Sequence, residues 1–222
     1  MYPRFVGRVG PADAVTAVNA ALGFGAVAMA TVDVGIAARL VLLAAIADGA
    51  DGILAARYGG TPVGEYLDGL ADVASFGVAP AAIVFNLVWA SPLSVGSRLG
   101  LGVGVPALFV VAAVVRLALY TAFDVEADRT IGVQSTLAGT VLAAAVLSGV
   151  GYLVIGGATA LFTYLMVASI PYPDLLARDA LAMGVVQALA VLFPEPFGGL
   201  FPRLLLAAAL AYLLLAPRFY WR

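Results

Sequence analysis

An all-α, polytopic membrane bundle of about eight transmembrane helices is the fold class the sequence predicts, and three observations carry it. Hydrophobic residues make up 64% of the 222 residues and charged residues 11%, against roughly 45–50% and about 25% in soluble domains. Apolar windows of about 20 residues recur, the length an α-helix needs to cross a hydrocarbon core. The acidic residues that interrupt them are spaced three and four apart, as they would be along one helix face.

The first helix is expected from about Ala14 to Val32, after a short Arg4/Arg8 segment suited to the interface. Arg4 and Arg8 precede an apolar run of full spanning length, which does not read as a cleavable leader. The second helix runs from about Val34 to Arg57 and stops at Tyr58-Gly59-Gly60-Thr61-Pro62, a turn signal. The third begins near Gly64 and ends near Ala90, closed by Ser91-Pro92; the fourth covers about Leu101 to Phe123. Asp124, Glu126 and Asp128 then read as the solvated face of a polar loop ending at Arg129. Ser135 to Ile170 is too long for one helix and breaks at Gly149-Val150-Gly151, giving the fifth and sixth. Pro171-Tyr172-Pro173-Asp174 ends the sixth, the seventh spans about Arg178 to Phe193, and the eighth about Leu200 to Leu215. Arg218, Tyr220, Trp221 and Arg222 form an interfacial anchor. With no repeat and no soluble segment, residues 1–222 read as one membrane domain.

Arginine placement orients the bundle. With both termini on one side, that side carries Arg4, Arg8, Arg57, Arg129, Arg178, Arg218 and Arg222, and the other only Arg98 and Arg203. This asymmetry predicts cytoplasmic N- and C-termini, in a cell membrane. Arg39 reads as a structural or snorkelling residue. Cysteine, histidine and lysine are absent. Thiolate chemistry, imidazole bases, the usual zinc sets and Schiff bases are thereby excluded. A pI near 4.9 without a basic run argues against nucleic acid.

The chemistry concentrates in residues 48–72. Asp48 and Asp51 are an i, i+3 pair and Asp68 and Asp72 an i, i+4 pair, so each pair shares a face of its own helix. Asp48 and Asp51 lie roughly 9–14 Å into the second helix and Asp68 and Asp72 roughly 6–12 Å into the third, at 1.5 Å per residue. If the helices are neighbours, four carboxylates meet at one spot, in a cavity open to the cytoplasm. Such a cluster calls for a hard cation with oxygen preference, Mg2+ or Mn2+. Gly52, Gly64 and Gly69 thin the region and leave room for a ligand. An ion-relay site in a transporter is the alternative, although the paired broken helices of transporter halves are absent.

Asp48-x-x-Asp51-Gly52, Ala56-Arg57 and Gly64-x-x-x-Asp68-x-x-x-Asp72 resemble the signature of the CDP-alcohol phosphatidyltransferases. These membrane enzymes displace CMP from a CDP-linked substrate with an alcohol. Thr16-Ala-Val-Asn19 is similar to the family's N-terminal Thr-x-x-Asn. Arg116-Leu-Ala, the Ile131-Gly132 to Ala138 segment and Met166 to Pro173 are similar to the phosphatidylserine synthase branch. One departure stands out: the family places two residues between the signature glycine and Ala-Arg. Here Ala56 takes the expected arginine position and Arg57 comes one residue late, with six residues left before Gly64.

The resemblance implies Asp48, Asp51, Asp68 and Asp72 as metal ligands, with Asp72 also the base toward the acceptor hydroxyl. It also implies Asn19, Gly52, Ala55, Arg57 and Gly64 around the nucleotide, and a homodimer. Arg116 reads equally as a structural partner for a buried carboxylate or as an acceptor-site residue. Gln134, Ser135 and Thr136 read first as a helix cap, with binding of a small polar acceptor the sharper alternative. The expected function is transfer of a phosphatidyl or archaetidyl group from a CDP-lipid to L-serine. Glycerol phosphate and inositol phosphate are the alternative acceptors, and the Ala56 departure leaves open a degenerate membrane partner protein.

Overall fold

The computed structural model describes residues 3, 5–124, 129–173 and 177–219. Arg4, Glu126, Asp128, Asp174, the Arg178 side chain and the Tyr220, Trp221 and Arg222 anchor lie outside them. The described chain is all-α apart from one short ribbon. Its eight rods are α1 Pro11–Ala30, α2 Val34–Tyr58, α3 Gly64–Trp89, α4 Val95–Asp124, α5 Ser135–Leu147, α6 Tyr152–Val167, α7 Ala177–Leu192 and α8 Pro196–Phe219.

The rods match the eight apolar segments, and capping explains where their ends differ. Pro11 starts α1 three residues ahead of the apolar pattern, in the first turn where no N–H is needed. The Asp13 carboxylate accepts the Gly10 N–H at 2.7 Å there. Ser94 caps α4 by accepting the Ser97 N–H at 3.3 Å, so that helix begins at Val95 rather than near Leu101. In α8, Phe197, Gly198 and Gly199 hold φ of 55°, 68° and 77°. Regular helix therefore starts at Leu200 as expected, but it runs on to Phe219 through Pro217.

Four rods, α1, α3, α4 and α8, are long and apolar enough to cross a membrane. With 25 residues α2 has the length, but it carries Arg39, Asp48, Asp51 and Arg57. The 13, 16 and 16 residues of α5, α6 and α7 give about 20–24 Å, short of the roughly 30 Å hydrocarbon core. Eight helices are present among the described residues, and four of them have both the length and the composition of a crossing.

Two features escape hydropathy. Within α3 and α4 the backbone widens into π-helical turns at Val73–Val78, Leu99–Gly104 and Tyr120–Asp124. There the Ala79 N–H reaches back five residues to Ala74 and the Val105 N–H to Gly100. Each such turn shifts the helical register of the residues beyond it, and the first begins directly after Asp72. The second feature is a ribbon where only a polar loop and a helix stop are expected. Strand β1 (Arg129–Ile131) pairs antiparallel with β2 (Pro171–Pro173), with Thr130 opposite Tyr172. Pro171 and Pro173 favour extended backbone at an edge where no N–H is needed. Tyr212 Oη donates to the Pro173 carbonyl at 2.7 Å and Tyr172 Oη to that of Leu213 at 3.2 Å, pinning the ribbon to α8.

Helix α1 packs along both α2 and the Gly64–Asp72 stretch of α3, and that stretch barely touches α2 directly. Close approach of α1 to α3 depends on Gly23, where a Cβ would stand 2.5 Å from Ser75 Oγ and 2.8 Å from Ser75 N. On the far side, α7 is tied to α2 by Gln187 Nε2 donating to Leu42 O and Arg39 Nε donating to Val191 O, both at 2.7 Å. Arg39 is thus structural, as expected. Substituting Gly23→Leu should lower stability against thermal unfolding in detergent by roughly 1–3 kcal/mol through overpacking. By contrast Gly157→Ala in α6, open to space within 4 Å, should raise it by up to about 1 kcal/mol.

Candidate active site

Asp48 on α2 and Asp68 and Asp72 on α3 point toward one another, with one carboxylate oxygen from each lying within 4.8 Å of the others. Asp72 is the deepest, 5% exposed, while Asp48 and Asp68 are half-buried. Asp51 stands apart from this trio. Three residues along a helix of 3.6 per turn leave it about 60° around α2 from Asp48, enough to aim it at α1. There its carboxylate is 7% exposed and accepts the Thr16 hydroxyl at 2.6 Å. Three of the four expected carboxylates meet, and α1 holds the fourth.

A second polar residue of α1 reaches the cluster. Asn19, fully buried, donates from Nδ2 to Asp72 Oδ1 at 3.2 Å, while its backbone carbonyl accepts the Ser75 hydroxyl at 2.8 Å. The side chain expected to meet a nucleotide is therefore engaged with Asp72. Nearer the start of α1, Asp13 is buried and accepts the Thr61 hydroxyl at 2.8 Å, fastening the α2–α3 loop to that helix.

A cavity of about 270 Å³ opens in front of the three carboxylates. Across it stand Arg116, Gln134 and Thr136, with Tyr120, Thr121 and Thr130 along the side and Glu65, an exposed residue, also on its lining. Gln134 occupies the N-cap of α5 but makes no side-chain cap. Ser135 is buried and accepts from Arg116 Nη1 at 3.4 Å, and Thr136 donates to Asp48 Oδ2 at 3.4 Å. Gln134 and Thr136 thus line the acid cavity while Ser135 is off its lining and meets Arg116, where the first reading of all three is a helix cap. Arg116 is 6% exposed, sits 5.2 Å from the Tyr120 ring centroid, and leaves Nε without a hydrogen bond. It forms no ion pair within 4 Å among the described residues and shares the cavity lining with Asp48, Asp68 and Asp72.

The remaining expected residues lie away from the acid cavity. Arg57 is exposed at the end of α2, its guanidinium 5.5 Å from the Tyr58 ring centroid. Gly52 is exposed with open space where a Cβ would be, and Ala55 is half-buried in the same stretch of α2. Gly64 sits against the tether, where a Cβ would lie 3.3 Å from Asp13 Oδ1. Gly69 does line the cavity, facing Thr121. No site role is expected from sequence for Asp13, and Thr16 is signalled only by its place in the Thr-x-x-Asn resemblance. The contacts of Asp13, Thr16 and Thr136 become visible once the helices are paired.

The donor set fits a small hard cation. All three groups are carboxylates, and oxygens on opposite sides of an octahedral ion at 2.0–2.1 Å stand about 4.2 Å apart. The observed span needs only a slight inward movement of side chains. No thiolate or imidazole competes for a softer metal.

A family model described as CDP-alcohol phosphatidyltransferase matches residues 11–192. The chain belongs to the CDP-alcohol phosphatidyltransferase family. No curated protein matches the chain. Membership makes it a membrane transferase of phospholipid synthesis, moving a phosphatidyl group from a CDP-alcohol to an alcohol, in a family generally dependent on divalent metal. The matched region holds α1–α7 and thus every residue of the acid cavity, while α8 lies beyond it.

Replacing Arg116 by methionine leaves the three carboxylates without the guanidinium beside them. In metal-free buffer at neutral pH, thermal unfolding of Arg116→Met should therefore show a loss on the order of 1–3 kcal/mol. Part of that loss should be recovered on adding Mg2+.

Proposed function

We propose that this transferase carries a phosphatidyl or archaetidyl group from a CDP-lipid to L-serine, with CMP as the leaving group, at the cavity between α2, α3, α4 and α5. The carrying observation is the trio Asp48, Asp68 and Asp72 facing a cavity on which Arg116 is the one guanidinium among the described residues. Asp48, Asp68 and Asp72, with Asp51 alongside, would hold Mg2+ or Mn2+, which when bound would supply charge neutralisation for the pyrophosphate. Asp72 takes the proton from the acceptor hydroxyl. The hydroxyl oxygen bonds to the lipid-side phosphorus, the bond from that phosphorus to the oxygen of CMP breaks, and CMP leaves with the electron pair.

The acceptor is argued from charge. A phosphorylated alcohol calls for several cations, and among the described lining residues Arg116 is the one cation, while Gln134, Thr130 and Thr136 beside it are neutral. One guanidinium suits one carboxylate, and Glu65 offers a counter-charge to an ammonium. A zwitterionic amino alcohol satisfies both. The lysine-free, acidic composition favours a CDP-archaeol donor. Arginine asymmetry favours cytoplasmic termini, with the cavity opening to that side. Arg57 points outward at the same end of the molecule, where the nucleotide of a bound donor would pass Gly52 and Ala55. A homodimer is the expected assembly.

Asp72→Asn should abolish CMP release from the CDP-lipid while expression and thermal unfolding stay close to wild type; unchanged turnover would remove the assigned base. Transfer should vanish with a chelator and return with Mg2+ or Mn2+. When serine, glycerol phosphate and inositol phosphate are offered in parallel to the purified enzyme, product should form with serine. A faster reaction with either phosphate would overturn the acceptor assignment.

A further inference from the structure

Among the described residues, helix α1 packs along both α2 and the acid-bearing Gly64–Asp72 stretch of α3, which barely touches α2 itself. The separation between Asp51 on α2 and Asp72 on α3 is therefore set through α1. Two side chains of α1, three residues apart and so on one face, make the connection. Thr16 donates to Asp51 at 2.6 Å and Asn19 donates to Asp72 at 3.2 Å. We propose that Thr16 and Asn19 are positioning residues that hold Asp51 and Asp72 in register for the metal-loaded donor. The proposal rests on the transfer reading above.

The details of both bonds favour this role over ordinary packing. A threonine hydroxyl has one proton to give. Thr16 also lies 3.1 Å from the Ala12 carbonyl, the usual partner of a threonine inside a helix, yet its shorter contact is to the Asp51 carboxylate. Asn19 is fully buried and its Oδ1 has no partner. Rotating the amide would satisfy neither end, because it would set Oδ1 against a carboxylate oxygen. An orphaned acceptor is thus the cost of keeping Nδ2 on Asp72. The backbone at the same residue is fixed too, since the Asn19 carbonyl accepts from Ser75, one turn beyond Asp72 on its own rod.

The test uses the full chain purified in detergent, with Mn2+ binding followed by its free-ion EPR signal in the absence of substrate. Thermal unfolding is measured in parallel in metal-free buffer. Thr16→Val and Asn19→Leu should each weaken Mn2+ binding by roughly tenfold, the size of effect expected for partners of metal-holding groups. Thr16→Ser, which keeps the hydroxyl, should bind like wild type. In metal-free buffer Asn19→Leu should unfold within a few degrees of wild type, because losing the donor to Asp72 and losing the orphaned oxygen act in opposite directions. Wild-type Mn2+ affinity in Thr16→Val or Asn19→Leu overturns the role of that residue, and so does a loss of affinity in Asn19→Leu that accompanies a clear drop in its unfolding temperature. Failure of the wild-type chain to bind Mn2+ overturns the transfer reading itself, and the positioning role with it.

Discussion

Three carboxylates whose oxygens lie within 4.8 Å of one another, one of them almost wholly buried, are the constraint on which the rest of the structure turns. Like charges this close in an apolar bundle repel strongly, because little water is there to screen them. The surroundings relieve this in small increments. Asn19 and Thr136 donate hydrogen bonds, and Arg116 contributes one positive charge without closing an ion pair among the described residues. None of these neutralises the cluster. What remains is a concentrated negative site with an open front, the arrangement a divalent cation and a pyrophosphate complete.

The scaffold around that site is built for fixed placement. Helix α1 bridges α2 and α3, and its small residues let it approach closely at Gly23. The π-helical turn after Asp72 changes the register of α3 just beyond the acids, so one rod presents Asp68 and Asp72 to the cavity and Phe76 to the core. At the same end, the ribbon of β1 and β2 is held to α8 through Tyr172 and Tyr212, and it brings Thr130 to the cavity lining. The short helices α5, α6 and α7 complete the bundle behind it.

Much of this was legible in the chain. The eight rods follow from apolar segments and their breakers, and Asp48, Asp68 and Asp72 follow from helical spacing alone. The exceptions have physical causes. Asp51 has the same spacing logic as its partners, but a rotation of about 60° around the helix sends it to Thr16. Arg57, one residue later than the family pattern, ends up exposed beside Tyr58. Ser135 and Thr136 look like a helix cap because their helix starts there, yet their hydroxyls are used across helices by Arg116 and Asp48.

By itself, the sequence determined an all-helical membrane chain, the positions of its helices, and the family to which its acidic motif belongs. Those properties are local: hydrophobic runs, turn residues and spacing along one helix carry them. Tertiary structure alone decided which acids meet, that α1 supplies the groups holding Asp51 and Asp72, and that Arg116, Gln134 and Thr136 form the facing wall. These are contacts between residues 35, 53 and 88 positions apart in the pairs Thr16–Asp51, Asn19–Asp72 and Asp48–Thr136. Such pairings depend on how helices rotate and dock against one another, and no periodicity within a single segment encodes that.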